Sequence, residues 1–261
     1  GCDVSVDDLG NIFARRPGRN PSLPPIATGS HLDTQPHGGK FDGVFGVLAG
    51  LAVVRALNDA GAETEAPIEA INWTNEEGSR FAPAMVASGV FAGLFDREFG
   101  LSRADSDGVT MEEELARIGY QGNQRCGDHP LGALFEAHIE QGPILEASGV
   151  PIGVVSGAQG QYWYDAVVLG VDCHAGTTPM PRRHDALVSA ARMTAALRDL
   201  ALRHAPHAVA TVGQFDVIPN SRNTIPGEVR FSVDIRHPEP EVLKAMDDAL
   251  RGEFAAICAA E

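Results

Sequence analysis

The stretch SHLDTQPHGGKFDG, Ser30 to Gly43, places two histidines, two aspartates and three glycines directly after PPIATG, which reads as a short strand. Such a density of titratable groups at a strand end suits holding a cation. In an extended segment His31 and Asp33, two residues apart, project to the same side. That spacing lets the Asp33 carboxylate accept the imidazole N–H, fixing the tautomer while the other ring nitrogen faces a metal. Gly38 and Gly39 permit a tight turn that returns Asp42 to the same place. A lone H-x-D is weak evidence, and the return turn strengthens it.

Two further segments carry groups of the same kind. NWTNEEGSRF places Glu76 and Glu77 between an apolar strand and a glycine turn. Adjacent residues there project in different directions, so one carboxylate can bind metal while the other, Glu76, accepts a proton from water. The bland alternative is a solvated acidic turn. EAHIEQG has His138 closing another strand, with Glu140 and Gln141 at a helix start. A single strand histidine is more often structural, but this is the third strand end to carry a ligand-type residue. Together His31, Asp42, Glu77 and His138 form a mixed N/O set suited to zinc, manganese, cobalt or nickel. A carboxylate such as Asp42 can bridge two ions about 3.5–4 Å apart.

The second half of the chain offers DCHAGTTPMPRRHD, PNSRNTIPG and FSVDIRHP. His174 lies where a strand ends in a small-residue turn, Asn223 in a Pro/Gly-bounded hairpin, and Arg236 at the end of the next strand. Read blandly, Asn223 is turn chemistry and Arg236 a surface charge. Read functionally, Arg236 is a planar fork for a substrate carboxylate, with Asn223 and His174 as polar orienters.

These residues need a scaffold that brings strand ends together. The segments PPIATGS, GVFGVLAGLAVVRALNDAG, APIEAINWT, MEEELARIG (opened by a Thr110–Glu113 capping box) and LFEAHIEQGPILEASG alternate strand and helix. That rhythm predicts an α/β fold with a mostly parallel sheet flanked by helices, its ligands beyond the strand ends. From about Gly160 the order changes. QYWYDAVVLGVDC, DALVSAARMTAALRDLALRHA, AVATVGQFDV, EVRFSVDIR and EPEVLKAMDDALRGEFAAICAAE read β-α-β-β-α, a ferredoxin-like split unit lacking its last strand. The expected division is a catalytic metal-binding domain over 1–159 and a lid or dimerisation domain over 160–261, with the chain truncated at both ends.

Composition narrows the possible partners. The chain has 261 residues, 44% of them apolar, and a formal net charge of -15 from Asp+Glu 35 against Lys+Arg 20. That balance opposes nucleic acid or anionic membrane as a partner, since both need a basic footprint. An anionic substrate would have to find its positive charge in a metal or an arginine. The four cysteines are scattered without metal or redox spacing, as in a cytoplasmic protein with reduced thiols.

The motifs GSHLDTQPHGGKFDG, NWTNEEGSRFAPAMVASGVFAG, EAHIEQGPILE, HAGTTPM and PNSRNTIPG resemble the hydantoinase/carbamoylase branch of the dimetal amidohydrolases related to aminoacylases and co-catalytic aminopeptidases. The resemblance covers nearly the whole chain. It implies hydrolysis of an N-carbamoyl amino acid, as in N-carbamoyl-L-amino-acid hydrolases and β-ureidopropionases, with allantoate hydrolysis, amide cleavage and a non-catalytic metal-stabilised binding protein as alternatives. It also implies two divalent metal ions held by His31, Asp42, Glu77 and His138, with Asp33 behind them and Glu76 as general base. Gln141, His174, Asn223 and Arg236 match the branch's substrate-binding positions, and the small domain is expected to form a homodimer that lends residues to the neighbouring site. One departure stands out. The family completes its second metal with a histidine in a Gly-His-Asp type segment, absent here, so that site is expected to be incomplete.

Overall fold

The computed structural model describes residues 1–260 and divides into two compact units, Gly1–Ile152 and the chain from Gly153 onward. In the first unit a hairpin of β1 (Asp3–Val6) and β2 (Ile12–Arg16) precedes β3 (Ile26–His31), α1 (Val44–Asp59) and β4 (Ile68–Trp73). Three short helices follow, α2 (Val86–Phe91), α3 (Arg97–Leu101) and α4 (Met111–Arg117), then β5 (Ala133–Phe135) and the single turn α5 (Ile144–Ala147).

The sheet order is β1-β2-β4-β3-β5. β3 runs parallel to β4 and β5, whereas β2 is antiparallel to both β1 and β4. The expectation of a mostly parallel sheet is therefore corrected to a mixed one. The N-terminal hairpin adds the antiparallel half, and its turn is polar: the Asp7 carboxylate accepts from Leu9 N, Asn11 N and Asn11 Nδ2 at 2.8–3.0 Å. Those polar residues hid the pairing from a search for apolar alternation.

Helix α1 is apolar from Val44 to Val54 and buries Gly46, Val47, Gly50 and Val54, a stripe at helical spacing, over β3 and β4. On the other face of the sheet Phe13, Ala27, Ile71 and Trp73 form a core with Phe91. Because β3 and β4 are parallel with His31 opposite Trp73, the segments leaving both strands emerge at the same end of the sheet. This register brings HLD and NEEG together. Thr110 caps α4 with the full reciprocal box anticipated from its sequence.

The second unit contains β6 (Gly160–Leu169), the two-residue β7 (Cys173–His174), α6 (Ala186–Arg203), β8 (Val209–Thr211), β9 (Phe215–Ile218), β10 (Thr224–Ile225), β11 (Glu228–His237) and α7 (Pro240–Ala260). β11 is central: it pairs antiparallel with β6 on one side and with β8 and β9 on the other. Its residues alternate, with Val229, Phe231, Val233 and Ile235 buried against Met193, Leu197 and Leu200 of α6 and Leu243, Met246 and Leu250 of α7. The segment AVATVGQFDV, expected as one strand, is broken at Val212–Gln214. There Ser232 Oγ accepts from Gly213 N and Gln214 N, replacing the ladder partners of those two residues.

Candidate functional site

Three chain segments converge beyond the carboxyl ends of the parallel strands of the first sheet. His31, at the end of β3, is 2% exposed, and Asp42, just before α1, is 1% exposed. Gly43 holds the chain between Asp42 and α1 at φ 65, where a Cβ would lie 2.4 Å from the His31 ring. Only glycine allows that approach.

Both histidines turn the same nitrogen inward. His31 Nδ1 lies 2.6 Å from the Asp33 main-chain carbonyl, and His138 Nδ1 lies 2.8 Å from the Ile139 carbonyl. A carbonyl can only accept, so each ring carries a proton on Nδ1 and turns Nε2, the atom a metal would take, inward. The two Nε2 atoms face each other at 3.3 Å. Asp42 Oδ1, buried and without a hydrogen bond, lies 3.5 Å from His138 Nε2 and 3.9 Å from His31 Nε2. Three such atoms facing one another repel unless a positive charge, a proton or a metal ion, sits between them. Their separations approach the edge of a tetrahedron built on bonds of about 2.0–2.1 Å, roughly 3.3 Å. The donor set fits a divalent metal ion.

Glu76 and Glu77 join the same cluster, Glu76 Oε2 lying 3.6 Å from His31 Nε2. Burial pushes the Glu76 carboxyl up; His31 and His138 oppose that rise, and Asp33 and Glu136 add to it. The Glu77 carboxyl is pushed up to about 7, first by burial and then by Asp42 and Glu76. For Asp42, burial acts upward but is outweighed by Glu77, Thr34, Gln141 and His31, which hold it below the usual range.

Asp33 stands differently from the sequence expectation. Its carboxylate is 3.7 Å from His31 Nδ1, which is held instead by the residue's own carbonyl. The carboxylate oxygens accept from Glu76 N at 3.2 Å and Glu77 N at 3.0 Å. The chain bends after His31, so same-side projection along a straight strand does not apply. His138 and Gln141 lie beyond β5, in the segment after Phe135, with Gln141 at φ 52 beside Asp42. Two positions went unnoticed in the sequence. Thr34 Oγ1 donates to Asp42 Oδ2 at 3.0 Å, and Ser30 Oγ donates to Glu136, two residues before His138. Both hydroxyls flank the H-x-D motif, which was the available signal.

In the second unit β7 pairs with β10, setting His174 opposite Thr224, and Ala175 N donates to the Asn223 carbonyl at 2.9 Å. His174 and Asn223 are therefore neighbours. His174 Nδ1 accepts from Gly176 N at 3.1 Å, leaving Nε2–H as an outward donor. Arg236 lies elsewhere. It is eight residues along β11 from Glu228 (236 − 228), roughly 26 Å at about 3.3 Å per residue, while Gly227 is tied to Asp172 near β7. Its guanidinium grips Asp234, Nη2 to Oδ2 at 2.6 Å.

The model of peptidase family M20/M25/M40 matches residues 27–259. The chain belongs to that family. Within it, an N-carbamoyl-L-amino-acid amidohydrolase of Rhizobium meliloti is 48% identical over 258 residues, covering 99% of this chain and 62% of that protein. An allantoate amidohydrolase of Bacillus subtilis is 35% identical, covering 99% of this chain and 63% of its own length. A crystal structure of an amidase of the hydantoinase/carbamoylase family from Burkholderia vietnamiensis superposes with a TM-score of 0.97 at 60% identity, over 100% of this chain and 63% of that one. The chain thus spans less than two thirds of the length of these relatives. The resemblance to the hydantoinase/carbamoylase branch stands, and the family's metal dependence agrees with the His31–Asp42–His138 group. Among the described residues no helix is long and apolar enough to cross a membrane.

Proposed function

We propose that this chain belongs to a metal-dependent amidohydrolase that cleaves the ureido C–N bond of an N-carbamoyl amino acid, giving amino acid, carbon dioxide and ammonia. The observation that carries the reading is the meeting of two inward-facing Nε2 atoms with a buried Asp42 oxygen, Glu76 beside them. His31, Asp42, Glu77 and His138 would hold two divalent ions, with zinc, manganese, cobalt and nickel all suited to the set. Bound there, the ions would polarise the ureido carbonyl and lower the pKa of an attacking water toward about 7.

The remaining roles fall to side chains. Glu76 accepts the proton of the attacking water and returns it to the departing nitrogen, a task its raised pKa suits. The His174 Nε2–H stabilises charge growing on the carbonyl oxygen. Gln141 and Asn223 orient the ureide, and Arg236 binds the carboxylate in the geometry it now offers Asp234. In this way an acidic protein accepts an anion. Residues 1–159 act as the catalytic domain and 160–261 as a lid and dimerisation domain.

The placement of these residues supports a homodimer. A span of roughly 26 Å along β11 is too long for one small substrate to touch both Arg236 and the His174–Asn223 pair of the same copy. Two copies would deliver them to one site. Helix α1 also leaves Phe45, Leu48, Leu51 and Val53 exposed, an apolar face that supports further chain packing on the first unit.

Measuring ammonia release by zinc-loaded protein from N-carbamoyl α- and β-amino acids and allantoate, and acetate release from N-acetyl amino acids, tests the reading. Ammonia from the carbamoyl compounds is expected. Release from allantoate alone would favour the activity named for the Bacillus subtilis relative. Cleavage of N-acetyl substrates alone would make the enzyme an aminoacylase, and no turnover of any compound would leave a metal-stabilised binding protein.

A further inference from the structure

The HLDTQ segment does more than supply His31. We propose that Asp33 is a positioning residue for the Glu76–Glu77 pair, acting through their two main-chain amides and not through the His31 ring. This rests on the reading of the cluster as a metal centre.

The division of labour at Asp33 is plain in the distances. Its carbonyl oxygen, which any residue at position 33 would supply, is 2.6 Å from His31 Nδ1. Its carboxylate sits 3.7 Å from that nitrogen, beyond hydrogen-bond reach. Both carboxylate oxygens are engaged instead, Oδ1 by Glu76 N at 3.2 Å and Oδ2 by Glu77 N at 3.0 Å. A carboxylate bridging two consecutive N–H groups makes a pair of charge-assisted bonds and fixes the tilt of both peptides.

The rest of the turn is tied just as tightly. The Glu76 carbonyl accepts from Met85 N at 2.6 Å, so both polar groups of that residue's main chain are held. Asn75 sits at φ 54 with its Nδ2 donating to the Phe81 carbonyl at 2.8 Å. Gly78, at φ 66, approaches so closely that a Cβ would lie 2.5 Å from Ala84 N. Residues 76 and 77 are adjacent, so one rotation of this turn would move a metal ligand and the general base together. Asp33 ties that turn to the strand end that carries His31. Its neighbours serve the other segments, Thr34 holding Asp42 and Ser30 holding Glu136 ahead of His138.

Asp33→Asn tests this because it keeps the size and the carbonyl that holds His31, but sets an NH2 against one of the two amides. In metal-free protein, the ¹H–¹⁵N signals of Glu76 and Glu77 are expected to move upfield while the His31 ring nitrogens keep their shifts. Zinc affinity, read by chelator competition, is expected to fall about 10–100-fold. Unchanged amide signals, unchanged zinc affinity, or a change at the His31 ring in place of the amides would each overturn the proposal. Should the variant fail to fold, amide exchange in the unaltered protein decides: both amides are expected to be protected, and free exchange at Glu76 and Glu77 overturns the clamp. If unaltered protein binds no zinc, the metal reading fails, while the amide measurements still judge Asp33.

Discussion

The two units bury their polar groups in opposite ways. In the first, Asp7, Asp8, Asn11, Arg16, Ser30, His31, Asp42 and Glu69 are all buried; in the second, the buried polar residues are Ser189 and His237. Every orphaned buried oxygen among the described residues, Asp42 Oδ1, Glu69 Oε1 and Asn72 Oδ1, also lies in the first unit. Each such atom costs about 1–3 kcal/mol. The second unit instead alternates apolar and polar residues along β11, its charges leaning on one another at the surface. The first unit therefore gives up stability to bury polar groups, one of which, Asp42, belongs to the reactive cluster, and the second keeps most of its polar groups at the surface.

The sharpest way to break this comparison is Glu76→Gln. Turnover of an N-carbamoyl amino acid should fall about 10²–10⁴-fold with zinc content unchanged, because the base is lost and the ligands are not. Normal turnover would remove Glu76 from the chemistry, and lost zinc would make it a ligand. Phe231→Ala strikes the other side. Burial against α6 and α7 predicts a loss of about 3–5 kcal/mol in denaturant unfolding of the second unit, with zinc affinity of the first retained. Equal losses in both would mean that the units do not divide the work as described.

A smaller effect comes from pH. The metal-free Glu77 carboxyl has its folded value raised from 4.5 to about 7, so the folded state binds the extra proton. Its contribution to stability is present below about 4.5 and is lost as pH rises through about 7. A cation must displace that proton, so apparent zinc affinity should rise by up to about tenfold per pH unit until about 7 and then level off. Calorimetric titrations between pH 5.5 and 8, roughly, would read this. A flat profile would place Glu77 outside the metal centre.

Ligand-type residues at strand ends were legible because chemistry restricts them. Few combinations other than a cation site put His31, Asp42, Glu77 and His138 after apolar strands, and periodicity marked β3, β4, β6, β11, α1, α6 and α7. The capping box at Thr110 was legible for the same local reason. The N-terminal hairpin was not, since its turn is bound by Asp7 and its strands are only four and five residues long. The break between β8 and β9 depends on Ser232, a residue on another strand.

What the sequence by itself determined was an inventory: which side chains can bind a metal, which can move a proton, and which segments alternate strongly enough to be buried. Only the tertiary structure decided how they are used. It gave the His31 proton to a carbonyl and the Asp33 carboxylate to two amides, paired His174 with Asn223, and set Arg236 at the far end of its strand. The physical reason is range: hydrophobic periodicity and capping act within a few residues, whereas the direction of a lone pair depends on which distant segment supplies its partner.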